Sequence, residues 1–240
     1  MYKVENAIIM AAGKGERMQP VTLTTPKPLV RVNGVRMIDT VIQALHENGI
    51  YQIYIVVGYL KEQFAALKET WPGVELIENP YYDTCNNISS LYAARKYIGN
   101  TIILDGDQII YDPVILKPEF SRSGYNAVWC ENGTKEWLMQ VNDEGIVTSC
   151  SRTGGQKGWQ LFSISRWNKE DGERLRRQLE EEFTVNSNRQ IYWDDVPMFI
   201  HFEDYTLGIV EMQYGDIVEI DDYEELISVD RSYAGCRKGA

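Results

Sequence analysis

At 240 residues the chain is long enough for one sizeable core carrying an insertion, and short for two independent domains. Its 44% hydrophobic and 25% charged residues are those of an ordinary globular protein. A net charge of −11 argues against nucleic acid or an anionic membrane as the main partner, since both demand a basic face.

The first predicted element is a buried strand, Ala7-Ile8-Ile9-Met10, running into Ala11-Ala12-Gly13-Lys14-Gly15-Glu16-Arg17-Met18. Two glycines let backbone N–H groups turn toward an anion, and Arg17 with Lys27 of Pro26-Lys27-Pro28 brings full positive charge to the same place. This is the pattern of a nucleoside triphosphate site; a plain strand-to-helix turn with solvated charges is the alternative. A dinucleotide fingerprint is excluded because Met18 stands where its third glycine would be. A Walker A loop is excluded because Gly15, not Ser or Thr, follows Lys14.

Further along, Leu29 to Val32 reads as a short strand and Met37 to Asn48 as an amphipathic helix closed by Gly49. Strands are predicted at Ile53 to Val57, Val74 to Ile77 and Thr101 to Leu104, with helices at Lys61 to Glu69 and Ser89 to Tyr97. Repeated βα units imply an α/β fold with a doubly wound, mostly parallel Rossmann-like sheet and ligands at the carboxyl ends of its strands. Strand signals then recur at Ala127 to Glu131, Trp137 to Val141, Ile146 to Cys150 and Trp159 to Ser165, with Asn142 to Gly145 as a hairpin turn. Arg152 to Gly158 reads as a flexible loop and Lys169 to Phe183 as a charged helix. Residues 120–205 thus form a β-rich elaboration of the kind that selects an acceptor. The chain is one domain: 1–119 the nucleotide half, 120–205 the acceptor half, and 206–230 a return segment. A further or partner domain is entertained after the polar tail from Ser232 to Ala240.

Cys85, Cys130, Cys150 and Cys236 are scattered, and only His46 and His201 accompany them, so zinc is not expected and free thiols in a reducing cytoplasm are. The N-terminus lacks a signal peptide pattern and no segment is apolar enough to span a membrane. Asp107, after Leu104-Asp105-Gly106, and Asp221, after Val218-Glu219-Ile220, are acids at strand ends suited to magnesium, Mg2+; a helix N-cap or solvated turn is the competing role for each.

Gly13 to Met18 with Pro26-Lys27-Pro28-Leu29 resembles the signature of the nucleotidyltransferases that make nucleotide-diphosphate sugars and related activated alcohols. Val57 to Phe64, Asn86-Asn87 with Ser90-Leu91-Tyr92, Glu136-Trp137, Tyr192-Trp193-Asp194 and Glu219-Ile220-Asp221 are similar to the bacterial CTP:phosphocholine cytidylyltransferases. The resemblance runs over nearly the whole chain. It implies CMP transfer from CTP to phosphocholine, an acceptor oxygen attacking the α-phosphorus without need of a general base. It further implies a nucleotide set of Ala11, Ala12, Gly13, Gly15, Arg17, Gly58, Asn87, Ser90 and Asp105, with Ala11, Gly58 and Ser90 around the cytosine ring. Lys27, Arg17 and Asp107 would be catalytic, and Asp107 and Asp221 the metal ligands. Trp137, Tyr192 and Trp193 are candidates for an aromatic cage on the acceptor's cation, with core packing as the alternative, and Asp194 would add charge. Asp195 stands where the choline enzymes have Asn. A second carboxylate suits a primary ammonium, which makes 2-aminoethylphosphonate the second acceptor. A sugar-1-phosphate transferase and a non-catalytic nucleotide sensor are the remaining readings.

Overall fold

The computed structural model describes residues 1–235; Cys236 and the rest of the tail lie outside the described residues. A nine-stranded mixed sheet forms the centre. Its strands are β1 (Asn6–Ala11), β2 (Ile53–Val57), β3 (Val74–Glu78), β4 (Thr101–Asp105), β5 (Gly124–Cys130), β6 (Leu138–Val141), β7 (Val147–Ser151), β8 (Gly158–Trp167) and β9 (Gly208–Met212). The path runs β7-β6-β8-β4-β1-β2-β3, with β5 paired to β8 and β9 to β5. Strands β4, β1, β2 and β3 are parallel, as repeated βα units require. The ten-residue β8 joins this half to the elaboration, running antiparallel to β4, β5 and β6.

Alternation along β1 explains why the sheet is covered on both faces. Ala7, Ile9 and Ala11 pack into one core with Val41 and Leu45 of α1 (Met37–Glu47) and Leu67 of α2 (Ala65–Thr70). Ile8 and Met10 pack into the other, with Leu91 of α3 (Ile88–Ala94) and Leu175 and Leu179 of α4 (Lys169–Glu180). Each such fully buried aliphatic side chain contributes about 1.5–3 kcal/mol, so the two cores hold the strand ends rigidly.

A third, smaller core supports the front of the molecule. Met18, Val30, Val32, Met37 and Ile109 pack with Ile220, Tyr223 and Leu226, the last two on α5 (Tyr223–Val229). Here Gln108–Ile110 and Ile217–Glu219 form a separate antiparallel ribbon, with Glu219 opposite Gln108. That register carries the return segment back to the carboxyl end of β4.

Several predicted elements differ in kind. Leu29 lies in a 3-10 turn, so the strand there shrinks to Arg31–Val32. The helix expected from Lys61 begins as a 3-10 turn over Lys61–Phe64, and Arg95–Tyr97 is likewise 3-10. The charged helix gives way to a π-helical turn at Glu181–Val185. Asp221 follows its strand after Ile220 rather than ending it, and Asp222 caps α5 by accepting the Glu225 N–H at 2.9 Å.

Candidate active site

The chain leaves β1 and turns through Gly13 to Gly15. Gly15 has φ +63°, and a Cβ there would lie 3.0 Å from both Lys27 Cβ and Thr22 Cγ2. The Thr22 hydroxyl donates to the Gly15 carbonyl at 2.8 Å and fixes the turn. Nothing lies within 4 Å of where a Gly13 Cβ would be. Gly13 therefore opens onto a cavity of about 570 Å³, shared with Ala11, Gly15, Arg17, Lys27, Asp107 and Asp221.

Four of the expected nucleotide residues lie outside this cavity's lining. Gly58 does not line this cavity: a Cβ on it would fall 2.6 Å from the Tyr82 ring, so its absent side chain makes room for Tyr82, which forms the wall. Ser90 is buried behind the wall and accepts a hydrogen bond from Asn79 Nδ2 at 3.0 Å. Asn87 lines a neighbouring cavity instead, where its Oδ1 accepts the Trp193 N–H at 2.9 Å. Ala12 is buried and contributes its carbonyl, which accepts the Tyr59 N–H at 3.0 Å. Lys14 is ion-paired with Asp83 across the cavity mouth.

Lys27 is the centre of the charge arrangement. Its side chain is only 9% exposed, and its Nζ lies 2.5 Å from Asp107 and 3.0 Å from Asp221. Burial alone pushes a lysine pKa down, but the two carboxylates outweigh it and hold the ammonium charged above its ordinary range. Arg17 Nη2 reaches Asp221 at 3.0 Å from a largely exposed position. The two cations expected at the phosphate loop thus rest on acids.

Acids outnumber them. One carboxylate oxygen each from Asp105, Asp107 and Glu219 lies within 4.8 Å of the others. Burial and the neighbouring Asp107 charge push the Asp105 carboxyl well up, and they push Glu219 to about 8. Asp107 Oδ1 is buried without a hydrogen-bond partner. Hard oxygen donors, mutual repulsion and an orphaned carboxylate oxygen together fit a divalent cation such as magnesium. The compact cluster therefore joins Asp107 to Asp105 and Glu219, whereas Asp221, the second ligand expected from the sequence, is engaged by Lys27 and Arg17. Glu219 was missed because its ribbon register with Gln108 is a tertiary fact.

A second cavity, of about 290 Å³, adjoins the first. Arg17, Asp105 and Asp221 line both, so the two spaces meet at the acidic and cationic centre. Its lining also includes Glu136, Trp137, Tyr192 and Asp194. Trp137 and Tyr192 stand edge to face with ring centroids 6.1 Å apart. Trp193 is not part of a cage: it is 2% exposed, packed in the core against Tyr125 and Trp167. Asp195 is likewise unavailable to a ligand. Its Oδ1 accepts from Arg152 Nε at 2.8 Å and Nη2 at 2.5 Å, and its Oδ2 accepts the Tyr192 N–H at 2.9 Å. Asp194 also borders the cavity, its carboxyl buried beside the Tyr125 hydroxyl; burial pushes its pKa up to about 7, the Asp195 charge adding to the rise and the Tyr125 hydrogen bond opposing it.

Among the described residues no helix is long and apolar enough to cross a membrane. Residues 7–158 match the MobA-like NTP transferase domain. A 2-aminoethylphosphonate cytidylyltransferase of Lancefieldella rimae is 41% identical over 230 residues, covering 95% of this chain and 93% of that protein. A choline-phosphate cytidylyltransferase of Streptococcus pneumoniae is 34% identical, covering 92% and 96%. Among solved structures, the CTP:phosphocholine cytidylyltransferase of S. pneumoniae superimposes with a TM-score of 0.88 at 32% identity, covering 96% of this chain and 99% of that one. An inositol-1-phosphate CTP transferase of T. maritima shares the fold with a TM-score of 0.75 at 18% identity. With a glycine loop, a buried lysine and an acid cluster at one strand edge, the chain belongs to the MobA-like NTP transferase family and is a nucleotidyltransferase of the cytidylyltransferase group.

Proposed function

We propose that this protein transfers CMP from CTP to a small acceptor that carries a phosphonate or phosphate at one end and an ammonium at the other. The observation that carries this reading is the junction of two cavities at Arg17, Asp105 and Asp221. The glycine-loop cavity suits a triphosphate, while the adjoining one presents acids and two aromatic rings to a cation. An acceptor spanning the second cavity would lay its anionic oxygen at the junction, against the α-phosphorus.

In the reaction the acceptor oxygen forms a new P–O bond as the bond to pyrophosphate breaks. A phosphate acceptor is largely ionised near neutral pH, its second pKa being about 6, so no general base is needed. Catalysis is positioning and charge neutralisation. Lys27 would move from its carboxylates to hold the two reacting anions together, and Arg17 would steady the departing pyrophosphate. Asp107, with Asp105 and Glu219 around it, would hold magnesium, which supplies positive charge to the phosphates; Asp221 completes the centre from the Lys27 side.

Two observations favour 2-aminoethylphosphonate over phosphocholine. Asp194 places a carboxyl in the cavity wall, which can accept hydrogen bonds from an –NH3+ group and receives none from a trimethylammonium. The identity to the aminoethylphosphonate enzyme is also the higher, 41% against 34%. Phosphocholine remains the second reading, supported by the Trp137–Tyr192 corner, whose faces suit a quaternary ammonium. The test is a nucleotide panel: CTP, UTP, ATP and GTP, each with 2-aminoethylphosphonate and magnesium, read by phosphorus NMR for a new phosphonate–phosphate anhydride. Product with CTP alone is expected. Product with another nucleotide in preference, or none with any, contradicts the reading.

A further inference from the structure

Asp195 raises a question that the transfer reaction does not answer. A buried carboxylate next to the acceptor cavity is spent entirely on protein partners. Its two oxygens tie together segments 43 residues apart in sequence: Arg152, just after β7, and the Tyr192–Asp195 turn. The Arg152 guanidinium also lies over the Phe199 ring, 3.5 Å from its centroid. Phe199 in turn meets Trp137 edge to face at 5.2 Å. A single cation therefore bears on both aromatic walls, through Asp195 on Tyr192, and on Trp137 both through Phe199 and directly, 5.9 Å from its ring centroid. Arg152 itself is not in the cavity wall.

The need for such a support follows from the local structure. Tyr192 is half exposed, with a ring that packs only against Trp137 among its aromatic neighbours, so the turn itself must fix it. Three bonds do so: Trp193 N–H to Asn87, Tyr192 N–H to Asp195 Oδ2, and Asp195 N–H to the Tyr192 carbonyl at 3.1 Å. The second holds only while the Asp195 carboxylate stays in place, and buried next to Asp194 that carboxylate needs a counter-charge. Arg152 supplies it through two guanidinium N–H groups that converge on Oδ1 and leave Oδ2 to the Tyr192 N–H, a planar arrangement that lysine does not reproduce. Without it, two adjacent buried carboxylates would repel, and Asp194 would shift with the turn.

From this arrangement we infer that Arg152 and Asp195 form a clamp that positions Tyr192, Trp137 and Asp194 for the cationic end of the acceptor. Arg152 is a positioning residue for acceptor selection and takes no part in nucleotide binding. The inference deepens the proposed transfer to an ammonium-bearing acceptor and rests on it. It also reverses the role expected of Asp195, from a direct ligand of the ammonium to the anchor of the residues that contact it.

The experiment measures initial rates of pyrophosphate release for the full chain, varying CTP and 2-aminoethylphosphonate separately. Arg152→Gln and Asp195→Asn should each raise the acceptor KM about tenfold or more and leave the CTP KM within about twofold. The double variant should be no worse than the poorer single one, because both remove the same clamp. Arg152→Lys should recover part of the acceptor KM by restoring charge without the fork. Amide exchange at Tyr192 should quicken in both single variants while that in β1 and β4 stays protected. An active wild type with unchanged acceptor KM in Arg152→Gln overturns the clamp alone, as do additive effects or equal rises in both KM values. A wild type silent with every ammonium-bearing acceptor overturns the functional reading instead, and the clamp's purpose with it.

Discussion

Replacing Lys27 by Met keeps most of the buried stem and removes only the charge. Asp107 and Asp221 then lose the ammonium at 2.5 and 3.0 Å, with Asp105 and Glu219 adding repulsion nearby. Breaking a fully buried ion pair costs about 3–5 kcal/mol and an exposed one about 0–1. The Asp107 and Asp221 side chains are 22% and 36% exposed, so the loss belongs between these limits, about 1–3 kcal/mol. In a domain of this size that lowers Tm by about 5 °C. Because the folded Lys27 pKa is raised, its contribution is fully present below the ordinary lysine pKa of about 10.4 and fades only as pH rises through the folded value. Lys27's own titration therefore adds no pH dependence between about pH 6 and 9; within that window the deficit changes only through the neighbouring acids, Glu219 near 8 among them. Magnesium, as a substitute cation for the same acids, should raise Tm of Lys27→Met more than that of the wild type. Turnover should fall at least about a hundredfold, with CTP affinity less affected, since the glycine loop binds phosphates independently. Thermal melting with and without magnesium and initial-rate kinetics decide it. A variant that melts like the wild type, shows no larger magnesium shift, or loses only CTP affinity refutes the role given to Lys27.

Asp107→Asn should cut turnover by at least about a hundredfold in a protein that still folds, as judged by kinetics beside circular dichroism, because it removes a charge at the junction and not a core side chain. Trp137→Ala or Tyr192→Ala should raise the acceptor KM by up to roughly thirtyfold, the worth of about 2 kcal/mol of cation–π attraction, and leave the CTP KM near its original value. The Asp194 pKa near 7 lies above the unfolded value of 3.8, so the folded state keeps a proton that the unfolded chain has lost. Stability must then decline as pH rises from about 4 through about 7, and Asp194→Asn should flatten that decline in melting curves. The same variant should bind 2-aminoethylphosphonate poorly at every pH while sparing phosphocholine.

The nucleotide half was legible because its signals are local. The strand Ile53–Val57 falls on its apolar run and the helix Met37–Glu47 on its amphipathic spacing, and the glycine loop advertises itself by composition. Asp107 was readable as an acid beyond a strand end. The parallel pairing of Gly208–Met212 with β5 was not, since its partner lies some 80 residues earlier across the elaboration and its own pattern is weak. Tyr-Trp-Asp-Asp posed a different problem. In an irregular turn no period tells which side chain faces a cavity, and Trp193 faces the core while its neighbours on both sides do not share its environment. The pairing of Asp195 with Arg152 and the approach of Glu219 to Asp107 are long-range contacts that spacing cannot express. The closeness of Gly58 to the Tyr82 ring is another such contact, set by tertiary packing.

On the proposed function, CMP passes at the junction of the two cavities from CTP on the glycine loop to a primary-ammonium acceptor beside Asp194. That transfer is tested most directly by competition: CTP and magnesium with equal amounts of 2-aminoethylphosphonate, phosphocholine and a sugar 1-phosphate in one tube, the early products separated by mass. The account predicts the CMP adduct of 2-aminoethylphosphonate in at least about tenfold excess over CDP-choline, the discrimination expected when one charged hydrogen bond is open to one acceptor and closed to the other. Predominance of CDP-choline would contradict the role of Asp194, and predominance of a sugar nucleotide would contradict the cationic cavity altogether.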